Sequence, residues 1–292
     1  SAVEIPKVCA WLEAQALEFP VAVLSAFRIM ATEQPHKTAL TAAMIAHLVL
    51  KPGANSTESG KASLGMRVME HLIHMFGQDV DAHYWRNARL VLHVFVALAP
   101  LGVVSSASLR RTIKAFVDVL SSDGVSRDVA DPAADCVIEA MCRGGTDLIQ
   151  PEPGALEALP SAREEMDAIV DGITLYGSQR SNAAMQLISP FRLDEPHDFL
   201  DQDGFMDRVR ALQSLKEHGY VRPAFLPSAC DLLSVDVSPA TSTAPAEQRT
   251  AHLPDLHVAP IRSTAYDELD DDLLAPPKRL QTGKGTHETV RV

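Results

Sequence analysis

From its start to about residue 218 the chain repeats one pattern. Apolar residues recur at the spacing of one helix face and are interrupted, roughly every 15 to 25 residues, by Pro, Gly or Asp at positions suited to helix ends. Strand-like alternation is nearly absent. A chain patterned this way has few folds open to it, because each helical stripe must be covered by another helix. The pattern predicts helices near 4–17, 20–33, 37–50, 62–77, 83–99, 106–121, 132–143, 161–176 and 204–218. Composition agrees: aromatics are only 5% against 46% hydrophobic residues, so Leu, Val, Ile, Ala and Met fill the core, as in packed helices.

Two helices read as one-sided at about 100° per residue. Between 62 and 77, Leu64, Val68, Met69, Leu72, Ile73, Met75 and Phe76 share one half, with Arg67, Glu70, His71 and His74 on the other. Between 106 and 121, Leu109, Ile113, Phe116, Val117 and Leu120 line one face, with Arg110, Arg111, Lys114 and Asp118 opposite. Leu90 to Leu98 is apolar nearly all round and reads as a helix enclosed by neighbours. Alternation of enclosed and one-sided helices is what stacked antiparallel pairs produce, and pairs recur at roughly the 40-residue period of HEAT-like arrays. The expected fold class is therefore all-α, a HEAT/ARM-like α-solenoid with a disordered acidic C-terminal tail. Asp131 before Pro132 predicts one helix start, and Ser161 with Glu164 has capping-box spacing at another.

The polar stretch Lys51 to Gly60 reads as an exposed connection, and Gly177 to Asp203 as a long surface loop. Beyond about Val235 the character changes: Pro, Ser, Thr and Ala dominate to Thr250, an acidic run spans Asp267 to Asp272, and Pro276 to Val292 lacks apolar periodicity. Such a stretch buries too little to offset its chain entropy. The expected organisation is a helical-repeat domain over 1–233 and a disordered linker or tail over 234–292.

A net charge of −12 opposes affinity founded on neutralising phosphates along a nucleic acid. Cys9, Cys136, Cys142 and Cys230 form no C-x-x-C pair and read as reduced, buried thiols of a cytosolic or nuclear protein. The opening SAVEIP carries no secretory pattern, and the apolar run Leu90 to Val104 is too short for a membrane span.

No constellation meets the spacing its chemistry needs. Glu70, His71 and His74 set two imidazoles one turn apart, but not in the H-E-x-x-H zinc pattern or its inverse; both His read as solvated. Gly53 to Ala62 (GANSTESGKA) brushes the phosphate-loop pattern around Lys61 but puts Ala62 where a hydroxyl is needed and lacks a preceding strand. Ser63 lacks the G-x-S-x-G context, and Cys142 before Gly144 and Gly145 reads as a buried helix-end thiol. Arg110, Arg111 and Lys114 form a small basic face, while Lys278, Arg279 and Lys284 are too sparse for a nuclear import signal. No catalytic, cofactor-binding or metal-ligating residue is expected.

Three stretches carry a resemblance. Tyr84 to Leu98 (YWRNARLVLHVFVAL), followed by Val103, Val104 and Leu109 to Leu120, resembles a central helix pair. Phe205 to Leu215 (FMDRVRALQSL), continuing to Val221–Phe225 (VRPAF), resembles a closing helix and its turn. Leu253 to Pro260 (LPDLHVAP), ahead of Tyr266 and the acidic run, is placed like an inter-domain linker. Together they resemble the first helical domain of the large subunit of the nuclear cap-binding complex, whose helical-repeat fold is shared with the middle domain of translation initiation factor four-G. At Met141 to Gly145 the chain reads MCRGG where that family has an L-P-W-like turn. The resemblance implies a non-enzymatic scaffold in the nucleus, with room for shuttling to the cytoplasm, that supports cap-dependent RNA processing and export. It implies partners among RNA processing and export factors and the small cap-binding subunit, whose grip would need later helical domains. It carries over no cap-binding residue, so capped RNA would be reached indirectly. A cytoplasmic scaffold of translation initiation or mRNA decay is the alternative.

Overall fold

The computed structural model describes residues 4–51, 63–122, 125–150, 159–180, 204–223, 226, 228–233 and 250–256. The Gly53 to Ala62 segment, all but the first residues of the Gly177 to Asp203 break, the acidic run at 267–272 and Lys278, Arg279 and Lys284 lie outside them.

Helices start where a side chain or a proline meets the unpaired amides of the first turn. Proline opens α1 (Ile5–Glu18) and α2 (Pro20–Glu33), with α3 (Thr38–Leu50) following a tight turn at Pro35–Lys37. Ser63 Oγ accepts from Met66 N at 3.3 Å to start α4 (Leu64–Asp81), and α5 (Trp85–Leu98) follows. Ser105 Oγ accepts from Ser108 N at 3.2 Å to start α6 (Ser106–Leu120), and Ser126 Oγ from Asp128 N at 3.3 Å to start α7 (Arg127–Gly144). Then come α8 (Leu159–Gln179) and α9 (Phe205–Glu217). The chain is all-α over the described residues, and each helix overlaps a segment the periodicity predicts.

Packing joins helices that are mostly one or two places apart along the chain. Helices α3, α5, α7 and α9 touch in succession, α2 touches α4, and α6 touches α8; α2–α3, α4–α5, α6–α7 and α8–α9 also pack as pairs, with α1 across α2 and α3. The expected enclosed helix is confirmed: Leu90 to Val96 and Leu98 of α5 are all buried. A second one, α3, is buried at every residue except Leu40. At the centre Phe76 of α4 meets Phe95 of α5 edge-on, centroids 5.6 Å apart, and Phe116 of α6 at 6.4 Å.

Helices α3 and α4 approach closely at Gly65, where an added Cβ would stand 2.7 Å from the Leu48 carbonyl carbon and from Val49 N. Gly77, on the same helix, faces nothing within 4 Å. Gly65→Ala is expected to destabilise by about 1–3 kcal/mol through overpacking. Gly77→Ala should instead stabilise by about 0.5–1 kcal/mol by removing backbone entropy from the unfolded chain. Urea denaturation midpoints of the two variants moving the same way would contradict this assignment of the contact.

Three local expectations are corrected. Asp131 and Pro132 sit inside α7, not at its start. The Ser126 cap lies upstream, and the carbonyl of Asp128, which Pro132 cannot reach with an N–H, belongs to an exposed residue that water can serve. Asp131 is held by its neighbours: its carboxylate accepts from Arg127 Nε at 2.8 Å, Tyr176 OH at 2.6 Å and Arg180 Nε at 2.9 Å. Burial alone would raise this carboxyl, but hydrogen bonds from Arg180, Tyr176 and Arg127 outweigh it and hold the group below its usual range. Ser161 lies within α8, which begins at Leu159, so it does not cap that helix. Arg110 does not face outward; it is 1% exposed. Its Nε donates to Glu165 Oε2 at 2.7 Å and its Nη1 to the Leu148 carbonyl at 2.8 Å. Helix α6 is covered on this side by α8 and by the Gly145–Leu148 turn, a neighbour that its own periodicity does not announce.

The boundary at 233 also shifts in part. Residues 250–256 lie against the start of α6 as an extended strap, with Val104 and Ala251 forming a parallel bridge. Ala251 N donates to Val103 O at 2.8 Å, Ser105 N to Ala251 O at 3.0 Å, and Leu253 N to Ser108 Oγ at 3.2 Å. Leu253, only 4% exposed, joins the hydrophobic core.

Candidate functional site

The residues singled out by sequence scatter rather than converge. On α4, Glu70 and His74 are exposed and His71 is half-buried, with Nε2 lacking a hydrogen-bond partner among the described residues. The expectation that both imidazoles are solvated therefore holds only for His74. No group of three or more His, Cys, Asp or Glu among the described residues could hold a metal ion. Ser63 is the cap of α4. Cys142 is half-buried, and burial followed by Glu139 raises its thiol, opposite to the lowering that makes a reactive thiolate. Cys9 and Cys136 are buried with thiols pushed up to about 12 by desolvation, whereas Cys230 is exposed, contrary to the expectation for it. The basic face dissolves: Arg110 points inward, Arg111 stands 3.5 Å from Asp255 of the strap, and Lys114 is paired with Asp118 at 2.7 Å.

What the fold does assemble is a cleft of about 220 Å³ among elements far apart in sequence. The Pro35–Lys37 turn and the first residues of α3 form one wall, His93, Val96 and Ala97 of α5 another, and Arg143 of α7 with Arg222, Leu226 and Ala229 the rest. The geometry that brings Arg222 here depends on Gly145, at φ +49°, whose missing Cβ would meet the Tyr220 carbonyl at 2.6 Å. Tyr220 itself adopts φ +64° and is anchored by its hydroxyl, which donates to Asp167 at 2.6 Å. The MCRGG turn is thus a close backbone contact that only glycine allows.

At the floor of the cleft His93 is 2% exposed. Its Nε2 stands 3.1 Å from Glu139 Oε2 outside hydrogen-bond geometry, and neither Nε2 nor Nδ1 has a hydrogen-bond partner among the described residues. Burial lowers this imidazole, with Arg143 and Arg89 acting the same way, and the Glu139 contact offsets only part of that. Glu139 also accepts from Arg89 Nη1 at 2.9 Å. Arg143 has no hydrogen bond or ion pair among the described residues, while Arg222 lies 3.5 Å from Asp147. Periodicity reads His93 as one polar residue in an apolar run, and nothing in the spacing links it to Arg143 or Arg222. A wider groove of about 520 Å³ between α8 and α9 has mixed charges, with Lys216 paired to Asp171 at 2.6 Å.

His47, His71 and His93 are all lowered, in each case first by burial. Their folded values lie below the unfolded value near 6.5, so the unfolded state binds more protons as pH falls. Their neutral burial costs nothing above about pH 6.5, and stability is lost as pH drops below it, by at most about 1.4 kcal/mol per pH unit for each. Asp79, Asp135 and Asp147, raised by burial, act oppositely, from about pH 3.9 upward. Unfolding free energy should fall between pH 7.5 and 5.5, and His93→Gln should flatten that fall; an unchanged slope in the variant would contradict the neutral, buried imidazole.

No helix among the described residues is long and apolar enough to cross a membrane. No protein-family model matches the chain, and no curated protein matches it.

Proposed function

We propose that this chain is a non-enzymatic scaffold, a HEAT/ARM-like solenoid of stacked helix pairs that holds extended segments of partner proteins. The succession α3–α5–α7–α9, with α2–α4 and α6–α8, supports the solenoid reading, because nearly all of the packing is between helices one or two places apart along the chain. The observation that carries the binding role is the strap. Thr250 to Leu256 lies extended against the head of α6, held by backbone hydrogen bonds and by the apolar side chains of Leu253, Ala251 and Leu256, which is how helical and sheet edges capture peptides. In the form suggested by the resemblance, the assembly served is the nuclear cap-binding complex, with the chain acting in the nucleus on RNA processing and export and touching capped RNA only through partners.

Leu253→Asp should release the strap. Amides of Ala251, Leu253 and Ser105 would then lose hydrogen-exchange protection, and global stability would fall by about 1.5–3 kcal/mol, the value of one buried leucine. A synthetic peptide spanning 248–258 should bind the Leu253→Asp chain and not the parent, whose groove is filled; binding to neither would sink the peptide-groove reading. Affinity purification of the tagged full chain from nuclear extract should recover RNA processing or export factors. Recovery of translation-initiation or mRNA-decay factors from cytoplasm instead would shift the assignment to a cytoplasmic scaffold, and stoichiometric metal or a Cys142 reactive to a small alkylator would overturn the non-enzymatic one.

A further inference from the structure

The cleft beside His93 has a composition at odds with the rest of the molecule. In a chain of net charge −12, its walls carry two guanidinium groups, Arg143 and Arg222, and two imidazoles, His36 and His93, and no carboxylate among the described residues. The nearby acids stand behind this lining: Glu139 is engaged with Arg89 and His93, and Asp147 with Arg222. Low-dielectric walls focus the field of the charges that line a cleft while solvent and salt screen the more distant ones, so the cleft attracts anions although the molecule repels them.

Two further observations point to a bound group. His93 is almost fully buried and yet its Nδ1 has no partner among the described residues, a cost of the kind that native proteins rarely leave unmatched. Arg143, likewise, has no ion pair or hydrogen bond among those residues, which leaves its planar fork of donors free for a ligand. At about 220 Å³ the space falls below the ~300–1,000 Å³ of pockets for drug-sized ligands. It suits a compact charged head with a few carbons, and Val96, Ala97 and Leu226 offer apolar surface for those carbons.

We propose that this cleft binds a phosphate monoester group, presented either by a small phosphorylated molecule or by a phosphorylated side chain of a peptide. Arg143 and Arg222 grip the oxygens, and His93 completes the site. With the Glu139 carboxylate 3.1 Å from Nε2, His93 takes a proton from solvent as the anion arrives and donates from Nδ1 to it, so the ring becomes an imidazolium between two anions. The groups acting on that proton are Glu139 and Arg143 of α7, Arg89 on α5 itself, and His36 and Arg222 on the facing walls; α3 contributes only Thr38 and Ala39 to the cleft. This inference stands apart from the scaffold role, since it uses neither the strap nor the head of α6.

Calorimetric titration of the full chain tests it. Sulfate is the first probe because it stays a dianion between pH 6 and 8, so any pH dependence belongs to the protein. Saturable 1:1 binding at or below about 1 mM is expected, tightening as pH falls from 8 to 6, with proton uptake revealed by buffers of different ionisation enthalpy. Arg143→Gln and Arg222→Gln should each weaken binding about tenfold, His93→Gln should abolish the proton uptake, and Arg163→Gln, outside the cleft, should change nothing. Inorganic phosphate and a phosphoserine peptide form the second arm: tighter binding of the peptide assigns the group to a protein side chain, and equal or weaker binding assigns it to a small molecule. Absence of saturable binding by sulfate, phosphate and phosphopeptide at 10 mM, or sulfate binding unchanged in Arg143→Gln, would overturn the proposal. Because Arg143 has no hydrogen bond or ion pair among the described residues to lose, only a longer-range attraction to Glu139, that variant should stay close to the parent's thermal midpoint and decides the matter even where Arg222→Gln, which loses Asp147, does not fold.

Discussion

Arg110→Ala is expected to lower the unfolding free energy by about 3–5 kcal/mol, far outside the ±0.5 kcal/mol typical of surface arginines. Three costs add. The side chain is 1% exposed, so truncation leaves a void between α6 and α8. The Leu148 carbonyl loses its 2.8 Å donor, and Glu165 loses its partner at 2.7 Å. The last contributes least, because Glu165 is half-exposed and water replaces the guanidinium there. Arg110→Met separates these effects. It refills most of the volume and removes the buried charge, leaving mainly the unpaired carbonyl, so the expected loss is about 1–3 kcal/mol. Equal urea midpoints for the Ala and Met variants would show that the void is unimportant, and a parent-like midpoint for Arg110→Ala would show that the arginine is solvated after all.

Phe76→Ala should cost a comparable 3–5 kcal/mol and for a different reason. Phe76 is wholly buried where three helices meet, with its ring edge-on to Phe95 and in contact with Phe116. Few large side chains are available to fill that space in a chain with 5% aromatics. The loss is the transferred area plus a cavity that α4, α5 and α6 cannot close together, along with the aromatic pairing of about 0.5–1.5 kcal/mol per contact. Phe76→Leu keeps the apolar volume and should recover more than half of it. Thermal or urea denaturation decides; a loss below about 1 kcal/mol for the alanine variant would mean that the junction is not packed as described.

Helix existence was legible because it is written locally. The stripe through Leu64, Val68, Leu72 and Phe76, and the all-round run from Leu90 to Leu98, each report burial through a period that only neighbouring residues set. Boundaries were less so where caps competed: Asp131 before Pro132 carries a start signal, but Ser126 captures the helix earlier, and tertiary hydrogen bonds from Tyr176 and Arg180 hold Asp131 within it. The site was barely legible at all. His93 stood out only as an interruption, and its meeting with Arg143 and Arg222 depends on α5–α7 packing and on a glycine contact to Tyr220.

By itself, then, the chain determined that it would be helical, about where each helix would lie and that Leu90 to Leu98 would be enclosed, because spacing along one helix fixes which residues share a face. Only the tertiary structure decided that Arg110 turns inward beneath α8, that Leu253 returns across a long gap to close over α6, and that four basic side chains from separate elements line one cleft. Those outcomes rest on contacts between residues distant in sequence, whose loop-closure cost and mutual fit leave no periodic trace for a local pattern to carry.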